Sequence, residues 1–278
     1  MIDDYYPLEF FVKITDFDFT YLITCDVSRG GGEGSDSSCI MVHDPRTFEV
    51  VARYTSNLID IPQLEFLLLE LGNDIFPNSC VAPEVNGLGN GLVQRLSYNE
   101  QLRPRLFHEK MDLTANNKAV IKDHKHLKSI DFGFLSVKTA RNDKMEIMYK
   151  HIINHVLEYD YDLINDPDLI DQIGTLEKNP VTGKISNAPG THKDNVSAFT
   201  IGRYILMYSP TITKWIKREN IRSLTLDSGT EFEDVFSKDK GDSMARYILN
   251  PMVKKNDGNR PTGKMNKVLN FLNTRKFH

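Results

Sequence analysis

Three carboxylates in this 278-residue chain fall where elements of secondary structure end, a placement suited to holding a cation. Asp26 closes the run Leu22, Ile23, Thr24, Cys25. In an extended strand alternate side chains point to opposite faces, so Leu22, Thr24 and Asp26 share one face and Ile23, Cys25 and Val27 the other. A carboxylate on such a strand is costly to desolvate and wants a cation or strong donors; the alternative is an Asx-type cap on the glycine-rich turn that follows. Glu84 follows Cys80, Val81, Ala82 and Pro83 and precedes Gly87, Gly89 and Gly91, where a backbone or ligand can approach closely. A first-turn glutamate favoured by the helix dipole has the same appearance. Asp194 shares one helical face with Ala198, Ile201, Ile205 and Tyr208, so it heads an apolar stripe. Standing three residues after Thr191, it also has the spacing of a capping box.

Gathered at the open end of a sheet, these three groups make a hard oxygen site for Mg²⁺ or Mn²⁺. Two such ions, about 3.5–4 Å apart, activate water on one side of a phosphodiester and stabilise the leaving oxygen on the other. Zinc would call for His or Cys at ligand spacing, which the sequence lacks. His192 reads as a local hydrogen-bonding partner, because Mg²⁺ prefers oxygen.

The elements that must position these groups follow from periodicity. Residues 21–28, 38–43 and 48–56 read as three strands of an antiparallel meander, joined by a glycine-rich turn and an Asp-Pro turn. Asp60, Ile61 and Pro62 start a helix whose apolar stripe is Leu64, Leu67, Leu68, Leu71 and Ile75. A short strand at 79–83 leads into a helix with Leu88, Leu92, Val93 and Leu96 inward, and 105–108 is expected to be extended. Residues 111–138 read mostly as loop. A helix is expected over 142–159, a helical turn and hairpin over 168–187, and a helix over 191–208 ended by Pro210. This gives a lead segment at 1–19, one α/β domain at 20–208 and a partly mobile extension at 209–278.

Composition narrows the class. With 40% hydrophobic and 26% charged residues, the chain can bury a large core. No apolar run approaches the roughly 18 residues of a membrane span, and Asp3 and Asp4 stand where a signal peptide would be basic, so neither membrane nor export is expected. Cys25, Cys39 and Cys80 form an odd set without metal-ligand spacing, which fits a reducing compartment. The net charge of -4 supplies no general attraction for nucleic acid, so any contact with it must be local.

Three segments together resemble the nuclease domain of tailed-phage terminase large subunits, in the RNase H-like superfamily. They are Cys25, Asp26, Val27, Ser28, Arg29, Gly30 with Asp36 beyond; Pro83, Glu84, Val85, Asn86, Gly87, Leu88, Gly89; and Gly190, Thr191, His192, Lys193, Asp194. The resemblance implies an RNase H-like mixed sheet, an antiparallel meander plus parallel strands, flanked by helices. It implies that Asp26, Glu84 and Asp194 are catalytic metal ligands, with Asp36 an auxiliary metal or water contact. It further implies an endonuclease cutting double-stranded DNA with little sequence preference during genome packaging, in the host cell cytoplasm. The terminase ATPase domain, the small subunit and the portal protein would be its partners. The family has an aspartate where this chain has Lys193, which puts one metal in question and offers a lysine to the scissile phosphate. The sequence contains no G-x-x-x-x-G-K-[ST], so the nuclease is expected without its motor.

DNA contacts would fall to Arg29, Arg95, Arg103, Arg105, Lys122, Lys125, Lys128, Arg141, Lys144 and Lys193, meeting phosphates without reading sequence. Two other readings share these residues: a resolvase or integrase-type nuclease acting on branched DNA, and a catalytically weak docking module of the packaging motor.

Overall fold

The computed structural model describes residues 8–32, 35–113, 119–136, 144, 149, 152, 156, 160–178, 185–188 and 191–222. Strands β1 (Glu9–Phe10), β2 (Leu22–Asp26), β3 (Ser38–His43), β4 (Val50–Ser56) and β5 (Cys80–Pro83) form one sheet in the order β1-β4-β3-β2-β5. The neighbours β1 and β4, β4 and β3, and β3 and β2 are antiparallel, whereas β2 and β5 run parallel. An antiparallel meander with a parallel strand on its far side is the RNase H-like arrangement expected from the sequence. Two isolated parallel bridges, Val81 with Leu106 and Glu84 with Phe134, extend the sheet past β5.

Helices cover both faces. Helix α1 (Ile61–Glu70) starts at a capping box in which Asp60 and Gln63 each accept the other's backbone N–H, and it widens into a π-type turn over Leu71–Ile75. With α2 (Gly89–Leu96) it buries Leu64, Leu68, Leu92 and Leu96 against Ile23, Cys25, Ile40 and Val42. The opposite face carries α3 (Pro167–Gly174) and α4 (Asp194–Tyr208). The alternation of β2 and β3 therefore holds: Leu22, Cys39 and Met41 point toward α4.

Helix α4 lies unusually deep because polar groups seat it. Thr24 Oγ1 on β2 donates to the Ala198 carbonyl at 2.9 Å and lies 2.9 Å from His43 Nε2 on β3. Burial, followed by the charge of Arg203, lowers the His43 pKa to about 3, so the ring is neutral and Nε2–H is the donor to Thr24. A Cβ on Gly202 would stand 2.3 Å from His43 Nε2, so only glycine lets the helix come this close. Arg203 is fully buried, bonded to Asp160 at 3.3 Å and flanked by the rings of Phe48 and Phe199. On the other side of the sheet's edge, Arg53 of β4 joins Asp166 at 2.6 Å, Glu9 at 2.6 Å and Asp168 at 2.7 Å, tying β1 and α3 to the meander.

Several expectations change. Residues 111–138, read as loop, contain an antiparallel hairpin of β6 (Met111–Leu113) and β7 (Ala119–Ile121), followed by single helical turns at His124–His126 and Ser129–Asp131. Residues 103–105 form a helical turn, leaving only Leu106 and Phe107 extended beside β5. The lead segment contributes β1 to the sheet. The hairpin of β8 (Leu176–Lys178) and β9 (Ile185–Asn187) is as expected, its tip lying outside the described residues. Of the helix read over 142–159, only Lys144, Tyr149, Ile152 and Val156 are described, all buried. In the stretch read as an extension, Ile212, Ile216 and Ile221 pack against Ile201 and Ile205 of α4; residues 223–278 lie outside the described part. Among the described residues, no helix is long and apolar enough to cross a membrane.

The Gly202–His43 contact gives a direct test of the packing. Gly202→Ala is expected to destabilise the protein by about 1–3 kcal/mol, as overpacking in a tight core does, read as a lowered melting temperature. Adding His43→Ala should recover part of that loss, whereas additive effects would show that the two residues do not press on each other.

Candidate metal centre

Register, rather than sequence proximity, assembles the site. Cys25 is level with Pro83 across the parallel β2–β5 pair, so the next residues, Asp26 and Glu84, emerge together from the same sheet edge. The Glu84 N–H donates to the Cys25 carbonyl at 2.8 Å and fixes that step. The two side chains stand close enough at this edge to interact. Loss of water raises the Asp26 pKa well above the usual carboxylate range, and the Glu84 charge and hydrogen bond and the Asp194 charge raise it further. The Ser197 hydroxyl opposes them.

Glu84 is held from two sides. Asn86 Nδ2 donates to Oε1 at 2.8 Å, and Ser136 Oγ donates to the same oxygen. Helix α2 begins only at Gly89, so Glu84 is not a first-turn residue. Gly89 is nonetheless tied to it, since a Cβ there would lie 1.8 Å from the Glu84 carbonyl oxygen.

Asp194 opens α4 rather than capping it. Lys193 occupies the N-cap position without a side-chain bond, and the Thr191 hydroxyl donates to the Ala188 carbonyl, so the capping box does not form. The Asp194 carboxylate instead reaches the start of β3, where Oδ2 accepts the Ser37 N–H at 2.8 Å. Burial raises its pKa; the Ser37 bond lowers it, Asp36 raises it, and His192 and Lys193 lower it. The turn after β2 is likewise built without the Asp26 carboxyl. The Ser28 N–H donates to Ser38 Oγ, the Gly30 N–H to Ser28 Oγ, and Ser28 Oγ to the Asp36 carbonyl.

The structure therefore joins Asp26 to Glu84 and sets Asp194 beside Asp26, with its carboxylate turned toward β3. Among the described residues, none of the three is paired with an arginine or lysine within 4.0 Å, so their charge has no fixed counter-ion. Asp26 and Glu84 supply hard oxygen donors of the kind a divalent cation takes, but their ligand atoms and that of Asp194 do not all lie within 4.8 Å of one another; among the described residues only Asp36, His192 and Asp194 do so. Asp36 and His192 lie on the outer side of Asp194. Ser37, Asn86, Ser136 and Ser197 are supporting residues that sequence reasoning missed. Ser197 stands three residues beyond Asp194, one helical step along, and was open to the spacing argument; Ser136 depends on the Glu84–Phe134 bridge.

The cationic candidates divide sharply. Arg29 and Lys193 are exposed at the rim of the site, with Lys193 Nζ 6.0 Å from the Tyr149 ring centroid. Lys125 and Lys128 are exposed elsewhere, and Lys122 faces Asp112 at 3.4 Å. Arg141 lies outside the described residues. Lys144 is a correction: it is buried, bonded to Glu109 at 2.5 Å and set over the rings of Phe134 and Tyr204, so it is not offered to a phosphate. Arg103 and Arg105 are likewise occupied. Arg103 donates to the Ser97 and Leu127 carbonyls and Arg105 to Gly72 and Asn73, while Arg95 pairs with Glu65. The three cysteines are free and buried, their thiols pushed up by burial, as expected for residues used only in packing.

The overall chain path is similar to that of solved phage proteins. The large terminase nuclease from thermophilic phage G20c with bound magnesium aligns at a TM-score of 0.43 and 14% identity, over 66% of this chain and 79% of that one. The Thermus phage P74-26 large terminase nuclease domain aligns at 0.40 and 13%, over 67% and 79%. No family model and no curated protein sequence matches.

The raised Asp26 pKa has a stability signature. A carboxyl whose pKa is higher folded than unfolded contributes stability that is complete below the unfolded value of about 4 and is lost as pH rises through the folded value. Without metal, Asp26→Asn should therefore gain stability over the unaltered chain as pH rises from about 4 toward neutrality, and the gap should vanish in acid. Melting curves across that range check it; a gap that is constant with pH would remove the raised Asp26 pKa.

Proposed function

We propose that this protein is a divalent-metal-dependent endonuclease that hydrolyses phosphodiester bonds of double-stranded DNA with little sequence preference, as the cutting part of a phage packaging machine. The observation that carries the reading is the adjacency of Asp26 and Glu84 at one sheet edge, with Asp194 near Asp26 and, among the described residues, no arginine or lysine within 4.0 Å of the three.

Asp26, Glu84 and Asp194 would hold the cation, two ions in the full reading. Bound there, Mg²⁺ or Mn²⁺ supplies Lewis acidity toward a phosphate oxygen and lowers the pKa of a bound water. The protein's own part is positional. Asn86 and Ser136 fix the Glu84 rotamer, and the Ser37 N–H orients Asp194. Asp26 must give up its proton before it can act as a ligand, so metal affinity should rise with pH. Arg29 and Lys193 at the rim meet the DNA backbone, a contact that positions the duplex without reading its bases. Lys122, Lys125 and Lys128 would extend that contact. The ATPase domain, the small subunit and the portal are the partners this role requires, with the host cell cytoplasm as its setting.

Nicking of supercoiled plasmid with Mn²⁺ tests the reading. Asp26→Asn and Glu84→Gln are each expected to slow it by about 100-fold or more, since loss of a ligand should cost at least as much as loss of a residue that merely orients one. Undiminished nicking by Asp26→Asn would sink the assignment. A strong preference for four-way junctions over linear duplex would move the substrate to branched DNA while keeping the site.

A further inference from the structure

Helix α4 begins at a residue that cannot cap it. Lys193 stands at the N-cap position without a capping bond, and an ammonium has only donors to offer a turn whose N–H groups lack partners within the helix. Its charge also has the wrong sign for the positive end of a helix. Thr191, the nearest hydroxyl before it, is committed to the Ala188 carbonyl. The acceptor comes from another helix. Gln172, in the last turn of α3, accepts the Asn195 N–H on Oε1 at 3.0 Å, and this is one of the two N–H groups that an N-cap side chain takes. The Asn195 side chain is buried and fixed in turn, its Oδ1 accepting from Thr55 Oγ1 of β4 at 2.9 Å. Leu169 and Ile173 of α3 share a core with Val196 and Phe199 of α4, so Gln172 rides on a surface already packed against the helix it caps.

We propose that Gln172 is a positioning residue for Asp194, capping α4 from α3 and so aiming the Asp194 carboxylate, with Thr55 as its counterpart from β4. The inference rests on the metal-dependent reading above and deepens it by naming what orients the ligand that α4 carries. Contacts further along the helix, at Ala198, Gly202 and Arg203, set its depth in the core. They do not hold the first turn, whose N–H groups have no partner within the helix. Asp194 is the first residue of that turn and Asn195 the second. Holding the Asn195 N–H and side chain from two different elements fixes the peptide that joins the two residues. The Asp194 carboxylate is left only its own rotation, which the Ser37 N–H limits. Losing a residue that orients a metal ligand costs about 10–100-fold in metal affinity or activity.

Hydrogen exchange and Mn²⁺ titration of the full chain test the assignment in Gln172→Ala, Gln172→Glu, Thr55→Val and Thr55→Ser. Without metal, Gln172→Ala is expected to speed exchange of the Asn195 N–H by about tenfold or more, while the amides from Thr200 to Met207 keep their rates. Mn²⁺ affinity, and nicking at limiting Mn²⁺, should each fall by about tenfold or more. Gln172→Glu keeps an acceptor at the same reach and should restore all three. Thr55→Val should weaken Mn²⁺ binding, and Thr55→Ser, which keeps the hydroxyl, should restore it. A residue serving stability alone would lower the melting temperature without moving Mn²⁺ affinity. Unchanged exchange at Asn195 in Gln172→Ala, unchanged Mn²⁺ affinity, or an equal loss in Gln172→Glu overturns the proposal. Should Gln172→Ala not fold, the Gln172→Glu and Thr55 variants decide, and equal Mn²⁺ affinity in Thr55→Val and Thr55→Ser is then the overturning result. The two readings fail separately: Mn²⁺ binding that follows the Gln172 variants in a chain that cuts no DNA keeps this role and sinks the nuclease, whereas full nicking at limiting Mn²⁺ by Gln172→Ala does the reverse.

Discussion

The parallel pairing of β2 with β5 is the constraint on which the rest of this structure depends. Only a parallel neighbour ends at the same edge as β2, and only the register that sets Cys25 beside Pro83 makes Asp26 and Glu84 adjacent. A slip of one residue would turn every side chain of β5 to the other face. The slip is resisted because Val81 belongs to the core under α1 and α2, while Cys80 and Ala82 belong to the core under α4. The hydrophobic sorting of these three residues thus holds two carboxyls together, against the repulsion of their charges, until a proton or a cation relieves them.

Helix α4 supplies the third carboxylate by a different device. Its amphipathic contrast is slight, because nearly every residue from Asp194 to Met207 is buried, and apolar burial alone leaves a helix some freedom to slide. The bond from Thr24 to Ala198, the neutral His43 above Gly202, and the Arg203–Asp160 pair remove that freedom. Polar contacts under a buried helix are expensive when incomplete, and they define a single depth when satisfied. The position of Asp194 is set by contacts several residues along the helix from its own side chain.

Much of this was legible in the sequence. The alternation in 22–26 and 38–43 gave the meander and its faces, and the stripe from Asp194 to Tyr208 gave α4. Asp26 and Glu84 stood out because each ends an apolar run, which is where a strand meets the open edge of a sheet. What failed was what short pieces and long separations conceal. Strands β6 and β7 have three residues each, too few to show a period. Ser136 reaches Glu84 only through a bridge between residues fifty apart in the chain. Lys144 was misjudged because a charge in a sequence says nothing of whether it is buried over an aromatic ring.

Ser136 does more than orient a carboxylate. Its hydroxyl holds Glu84, and its carbonyl accepts the backbone N–H of Lys144, whose ammonium is anchored on Glu109. The residue is therefore a mechanical coupling between the sheet edge and Lys144. Any force that draws Lys144 away pulls on the residue that donates to Glu84, without touching Asp26, Asp194 or the register of the sheet. A partner gripping this side of the molecule would hold a lever on the site at one bond's remove.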